Sequence, residues 1–354
     1  MGRDGRRRDG GPVCQLRRPG AAARRGAVRV IVARRRGRLP GADGRPVIAT
    51  CGNFDGVHLG HQAIMRRIRE RADASGGLAT VITFHPHPMR VLAPDRAPRL
   101  MLTEEQKLAE LERLGVDAVV ILPFDREIAA MPAEEFARRV LAEELGVREI
   151  HVGPDFRFGR GRVGDVGLLT RLGTELGFEA HAVPPVIDGG ERVSASRIRR
   201  ELAAGRVEEA ARLLGRPFTL VGTIVHGEGR GHKQLLPTAN LAPENEFVPE
   251  RGVYVTRTRW NGQQWHGLTN VGIRPTFGGR RVTIETFLSG FAGDLYGRRV
   301  ELAFLARLRP EHRFDTPQQL MEQIWRDIDA FEAWCREHGV AVEAPFRGDK
   351  PADS

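Results

Sequence analysis

Residues 47–61 read VIATCGNFDGVHLGH. Val47–Cys51 is a short apolar run with strand character. A glycine-rich turn follows, and from His61 to about Ala74 the apolar residues Ile64 and Ile68 recur on one face until Gly76-Gly77 ends the pattern. The order is strand, loop, helix. A parallel sheet binds ligands beyond the C-terminal ends of its strands, where this loop would sit. Gly56 and Gly60 permit close backbone approach, and His58 and His61, three apart, share a face of the first helical turn. The free N–H groups and positive dipole end of that helix point the same way, so the stretch reads as an anion site suited to an oxyanion whose charge grows during reaction. Two imidazoles at this spacing could also ligate zinc, but no third ligand with a recognisable spacing stands nearby. A packed structural turn is the plainest alternative.

Outward from this stretch, strands and helices alternate. Further strands are expected at Leu78–Phe84, Asp117–Leu122, Glu149–Gly153 and His181–Val186. Helices are expected from Thr103 to Leu114, from Pro132 to near Gly146, over Gly164–Gly177, and as short pieces at Ser194–Leu202 and Val207–Leu214. Thr103-Glu-Glu-Gln106 has the form of a capping box. The alternation implies a parallel sheet with helical crossovers. After Gly215-Arg-Pro217 the pattern changes. Thr219–Val225, Gly252–Trp260, Trp265–Val271, Val282–Leu288 and Val300–Leu308 are strand-like runs separated by turns, which predicts an antiparallel barrel or sandwich. One amphipathic helix, from Pro317 to about His338, closes it.

The chain has 354 residues, enough for about two domains. Its net charge of +10 is local: residues 1–38 hold 13 Arg against Asp4 and Asp9, and the remainder carries 42 basic and 43 acidic residues. The folded part therefore does not look like a nucleic-acid binder. The Arg-rich stretch lacks an apolar h-region and is expected to be a disordered extension or the product of an early start codon, ahead of binding RNA or a membrane non-specifically or serving as a transit sequence. No apolar run approaches the length of a membrane span. Cys14, Cys51 and Cys335 are too scattered for a disulfide framework, which points to a reducing, cytoplasmic compartment.

GNFDGVHLGH, followed by TFHPHP (83–88), VGPDFRFGRGRVGD (152–165) and RVSASRIRREL (192–202), resembles the adenylyltransferase module of prokaryotic-type bifunctional FAD synthetases, from about Val47 to Leu214. The resemblance implies a Rossmann-like α/β nucleotidyltransferase domain that joins FMN and ATP into FAD and pyrophosphate. It implies that His58 and His61 contact the ATP phosphates, with Asn53, Asp55 and Gly60 in the same loop. Arg192, Ser196 and Arg199 match a second phosphate-binding motif, and Asp155 and His87 match flavin-side positions. Two positions depart from the family pattern. Ala195 stands where a hydroxyl is usual, and His85 replaces an acidic residue. Gly159-Arg-Gly161-Arg-Val-Gly164 is a literal GxGxxG, but it falls in a late unit with two arginines inside it. A flavin- or phosphate-facing loop is expected there rather than a dinucleotide fingerprint.

In the second half GxxxxGK[ST] is absent, so any phosphate loop must come from turns of a β fold. PTAN (237–240), TNVGIRPTF (269–277), TIETF (283–287) and DLYG (294–297) resemble riboflavin kinase, from about Phe218 to Trp334. That implies a six-stranded antiparallel barrel with a C-terminal helix, which phosphorylates riboflavin with ATP and Mg²⁺. Thr238 and Asn240 match the positions holding Mg²⁺ and nucleotide phosphate, and Glu285 matches the general base. Gly227, Gly229 and Gly231 fall in the nucleotide loop, with Asn270 and Arg274 on the flavin side. The loop itself reads RGHKQLLPTAN, with Leu235 where glycine is usual. This predicts a weakened kinase or an altered ATP affinity, and leaves an FMN adenylyltransferase on a decayed kinase module as the alternative.

The expected organisation is an extension over 1–38, an adenylyltransferase domain over 39–204, a linker over 205–217, a kinase domain over 218–340 and a tail over 341–354. The expected partners are riboflavin, FMN and ATP, with transient contact to apo-flavoproteins and no specific nucleic acid or membrane.

Overall fold

The computed structural model describes residues 30–34, 36–37, 39, 42–226, 237–276 and 279–341; for 274–276 and 279–281 it describes the backbone. Six parallel strands, β1 (Ile31–Ala33), β2 (Val47–Cys51), β3 (Leu78–His85), β4 (Ala118–Pro123), β5 (Val147–Val152) and β6 (Glu179–Ala182), form one sheet in the order β1-β4-β3-β2-β5-β6. Alternate side chains leave a strand on opposite faces, and here both faces are covered. Val47, Ala49, Cys51, Ile82, Val120 and Leu122 pack with Phe136, Val140, Leu141 and Leu169 on one side. Ile48, Ala79, Val81, Val119 and Ile121 pack with Met65, Ile68 and Leu111 on the other.

The first face is covered by α4 (Arg126–Ala130), by α5 (Ala133–Glu135), which runs on as a π-helical stretch Phe136–Glu144, and by α6 (Val166–Leu176). The second is covered by α1 (Leu59–Ser75) and α3 (Glu104–Arg113), with the short α2 (Pro88–Leu92) between them in the chain. The capping box expected at Thr103 is formed in both directions with Gln106. The strand order reverses between β2 and β5, so the crevice that such sheets use for ligands lies beyond Cys51 and Val152.

The sheet begins earlier than the expected boundary at residue 39. Ile31–Ala33 pairs in parallel with Ala118–Val120 as the edge strand β1. A three-residue edge strand embedded among arginines leaves no usable periodicity. The strand expected at His181–Val186 is shifted to β6, and a small hairpin, β7 (Ile187–Asp188) and β8 (Glu191–Arg192), follows it.

The second half is a closed antiparallel barrel, β10-β13-β12-β11-β14-β9. Its strands are β9 (Phe218–Val225), β10 (Thr238–Pro243), β11 (Gly252–Trp260), β12 (Gln263–Thr276), β13 (Gly279–Leu288) and β14 (Arg299–Arg309). Periodicity found five of the six. The sixth, TANLAP, lacks a period-2 apolar pattern because its sides are only partly buried. Inside the barrel Thr256, Thr269 and Thr286 are buried and satisfy one another's hydroxyls at 2.7 and 2.8 Å. Outside, α9 (Pro317–Glu337) covers Val253, Val255, Leu268 and Ala306, and Asp327 accepts a bidentate pair from Arg309 at 2.7 Å. Among the described residues no helix is long and apolar enough to cross a membrane.

α7 (Ala195–Ala203) and α8 (Val207–Leu214) join the halves. The stretch expected as a linker is a packed helix: Val207, Ala210, Leu213 and Leu214 share one core with Met101 and with the barrel residues Phe218, Leu220 and Phe304.

Candidate active sites

The turn after β2 is tightly wound. Phe54, Gly56 and Val57 all have positive φ, at 50°, 82° and 41°. This places His58 as the N-cap of α1, where its Nδ1 accepts from the His61 backbone N–H at 3.3 Å. With Nδ1 accepting, the ring proton sits on Nε2. The two imidazoles stack with centroids 3.6 Å apart, and Phe54 meets His61 edge-on. Both rings are held neutral. Burial, reinforced by Arg192, Arg216 and Arg199, lowers His58 to about 4. Burial, then His58, Arg192 and Lys107, pushes His61 well below the usual imidazole value. His61 Nδ1 is buried without a hydrogen-bond partner.

A cavity of about 450 Å³ opens at this point, lined by Asn53, Asp55, His58, Gly60, His61 and His87 on one side and by Arg192, Ser194, Ala195 and Arg199 on the other. The first turns of α1 and α7 thus both contribute to it. Two helix N-termini, two neutral imidazoles and two guanidiniums on one concave surface suit a polyanion. Arg162, from the glycine-rich stretch 159–164, also lines the cavity. That stretch is a 3₁₀ turn with Gly159 seated against the Ala133 backbone, and not the opening of a strand–helix dinucleotide unit.

The expected residues divide. Asn53, His58, Gly60, His61, His87, Arg192 and Arg199 reach the cavity. Asp55 also lies on its wall, but its 6%-exposed carboxylate accepts from the Met101 and Leu102 N–H groups and pairs with Arg199. Its pairing fixes Arg199 at the cavity. Ser196 is exposed and is not among the residues that line the cavity, while Ser194 caps α7 by accepting from Arg197 N–H at 3.2 Å, and Ala195 is part of the lining. Each helical residue turns about 100° from the last, so the position two past the cap points elsewhere. Asp155 is exposed and pairs with Arg192 at the rim. His87 caps α2, its Nδ1 accepting from Met89 N–H at 3.2 Å.

Sequence reasoning missed Lys107, whose ammonium donates to the Asn53 carbonyl at 3.4 Å and whose pKa burial lowers. It comes from α3, far from any motif. A metal-like group does occur among the described residues, but elsewhere: Glu149, His151 and His181 on β5 and β6. Arg71 already occupies both Glu149 oxygens at 2.8 and 2.6 Å, so the group reads as a fastening of α1 to the sheet.

The barrel carries the second set. Register places Asn240 on β10 opposite Glu285 on β13, and Glu285 opposite Asn270 on β12. The three stand abreast and half-buried, on the face opposite the buried neighbours Ile284 and Thr286, with Thr238 two residues along β10 on the same side. Next to Thr238 a cavity of about 310 Å³ is lined by Ile224, Phe291, Asp294, Leu295 and Tyr296, where His226 stacks on Tyr296 at 3.8 Å. Arg274 lies in β12 opposite Arg281, its side chain outside those described. Gly227, Gly229, Gly231 and the departure at Leu235 lie outside the described residues.

Comparison with known proteins gives the same division. The FAD synthetase family model matches residues 42–197, and the riboflavin kinase model matches 214–335. A bifunctional riboflavin kinase/FMN adenylyltransferase of Pseudomonas fluorescens is 42% identical over 82% of this chain and 93% of its own. That of Escherichia coli (strain K12) is 38% identical over 79% and 90%. A crystal structure described as a macrolide-efflux protein from Streptococcus pneumoniae has the same fold, with a TM-score of 0.77, 29% identity, and coverage of 86% of this chain and 100% of that one. With a kinase model matching the barrel, the reading of a lone adenylyltransferase is not favoured. Sheet, barrel and both matched halves together identify the chain as a member of the bifunctional riboflavin kinase/FMN adenylyltransferase family.

Proposed function

We propose that the chain makes FMN from riboflavin and ATP at the barrel, and FAD from FMN and ATP at the cavity beyond the sheet. The observation that carries this is the pairing of two separate sites with complementary chemistry: a neutral-imidazole, arginine and helix-terminus cavity in the α/β half, and a carboxylate abreast of two amides in the barrel.

In the first site the FMN phosphate attacks the α-phosphorus of ATP in line, and pyrophosphate leaves. The protein's task is to position the two phosphates and to meet the charge that develops on the leaving oxygens. His58 offers Nε2–H and the neutral His61 ring lines the cavity beside it, while Arg192 and Arg199 supply fixed positive charge. Neutral rings donate without bringing a second proton-transfer equilibrium near pH 7. Ala195 itself brings no hydroxyl to that wall, only the backbone N–H groups of the first turn of α7.

In the second site Glu285 takes the proton of the ribityl 5′-hydroxyl as it attacks the γ-phosphorus of ATP, the bond to the β-phosphate oxygen breaks, and ADP leaves. Thr238 and Asn240 present hard oxygen atoms on one face of β10, a donor set that fits Mg²⁺, which keeps its remaining coordination for water and phosphate. Bound there, the ion would neutralise charge on the transferring phosphate. Buried free thiols at Cys51 and Cys335 are in keeping with a reducing cytoplasm, and FAD leaving the first site would pass to apo-flavoproteins.

Separable losses test the proposal. His61→Ala is expected to stop FAD formation from FMN by at least about 10²-fold, in line with the loss of one preorganised donor, and to spare FMN formation. Glu285→Gln is expected to do the reverse. If His61→Ala in a folded protein also removed kinase activity, the two-site assignment would fail.

A further inference from the structure

The turn that aims His58 and His61 is strained at Val57, a β-branched residue at φ 41°. A β-branched side chain in the left-handed region is a conformation that the surroundings must enforce. Two side chains do so, Arg216 from beyond the residues matched in the α/β half and Gln62 from the turn of α1 just after His61. Arg216, from the segment between α8 and the barrel, donates to the Gly56 carbonyl at 2.8 Å and to the Val57 carbonyl at 3.3 Å. The same guanidinium donates to Leu214 O at 3.2 Å and pairs with Glu110 of α3 at 3.1 Å. Gln62 donates its amide N–H groups to Val57 O at 2.9 Å and to Leu214 O at 2.8 Å. The Val57 carbonyl therefore takes donors from two residues, and the end of α8 is tied to the same atoms. The fit is close on the other side too: a side chain at Gly215 would meet Leu59 at 2.9 Å, and one at Gly56 would meet Met101 at 2.8 Å.

We infer that Arg216 and Gln62 are positioning residues for adenylyl transfer: they clamp the Gly56–Val57 turn from behind so that both imidazoles face the cavity, and they make the junction with the barrel part of the active site's support. Neither touches the cavity wall. This rests on the assignment of His58 and His61 to FAD formation. The clamp acts on carbonyls immediately before His58, so a shift of the turn moves both rings together. A misplacement of about 1 Å is enough to cost on the order of 10²-fold in rate.

The test measures FMN adenylylation and riboflavin phosphorylation separately, each as kcat and KM, on the full chain with its melting temperature. Arg216→Met keeps the aliphatic stem and removes the donors; it is expected to lower the adenylylation kcat about 10- to 100-fold, with kinase kcat within about twofold. Arg216→Lys, which keeps the charge but loses the fork, is expected to recover part of that loss. Gln62→Glu is nearly isosteric and turns a double donor into an acceptor facing two carbonyls, so it serves if the Arg216 variants fail to fold. It is expected to lower adenylylation alone, by at least about 10-fold. An unchanged adenylylation kcat in folded Arg216→Met or Gln62→Glu overturns the inference, as does a fall of both activities in step with the melting temperature. His61→Ala is the control: if it leaves FAD formation intact, the site assignment has failed and not the clamp.

Discussion

At the scale of one residue, His58 shows how burial sets chemistry. Its ring is 6% exposed, and burial together with three nearby arginines brings its pKa from 6.5 to about 4. Above pH 6.5 the ring is neutral in both folded and unfolded chains. As pH falls from 6.5 towards 4, the unfolded chain binds a proton that the folded chain refuses, so stability is present above that window and is lost across it. The shift corresponds to roughly 3 kcal/mol at the acid end. His61, lowered in the same direction, adds to the slope. His58→Asn keeps a good N-cap and removes the titration. Its melting temperature is expected to fall less steeply than that of the unsubstituted protein between pH 6.5 and 4, and parallel curves would rule out His58 as a source of the slope. The pair itself was legible in the sequence, because spacing and the strand–loop–helix context fix where two imidazoles three apart must lie. Lys107 and Arg216 were not, since they reach the same turn from 54 residues after Asn53 and 160 residues after Gly56 through folding alone.

At the scale of elements, α8 lies at the bounds expected for it, Val207–Leu214, but packs as more than a connector. A short helix between two domains reads as a connector, and 205–217 has the turn residues of one. Its apolar residues, however, fall on one face, and Leu213 is fully buried in a core shared by Met101 of the first half and Phe218 and Leu220 of the barrel. Leu213→Ala should therefore cost about 2–5 kcal/mol, the range for a buried leucine truncation. It should lower the heat-inactivation temperature of both activities. A fall confined to FAD formation would mean that α8 belongs to the first half only. The central strands β2, β3 and β4 were readable because burial on both faces writes a continuous apolar run. β1 and β10 were not: one is three residues at an arginine-rich edge, and the other alternates only weakly because it borders the open face carrying Asn240. The row Asn240–Glu285–Asn270 is invisible to spacing for a related reason. Register, not sequence distance, brings positions 240, 270 and 285 abreast.

At the scale of the whole molecule, the halves are joined by a polar seam as well as a shared core. Buried Asn245 of the barrel accepts from Val221 N–H at 2.8 Å and donates to Met101 O at 2.9 Å and to Gln106 at 2.7 Å. Arg299 bridges Glu244 and Glu105, and Arg307 donates to Ala204 O at 3.1 Å. This seam fixes where the two sites lie, but it does not merge them. The cavity beyond the sheet is lined by residues between Asn53 and Arg199, and the barrel cavity by residues between Ile224 and Tyr296, with none in common among the described residues. FMN made at the barrel must therefore leave one surface before entering the other. A tethered hand-over would give the intermediate an effective concentration on the order of mM, and a chase of roughly 100 µM unlabelled FMN would then barely dilute label passing from riboflavin into FAD. Release to solvent predicts the opposite. Label in FAD should fall in proportion to the specific activity of the mixed FMN pool, at every chase concentration. Following labelled riboflavin into FAD with and without added FMN measures this directly, and FAD label that resists the chase would require a path between the two cavities.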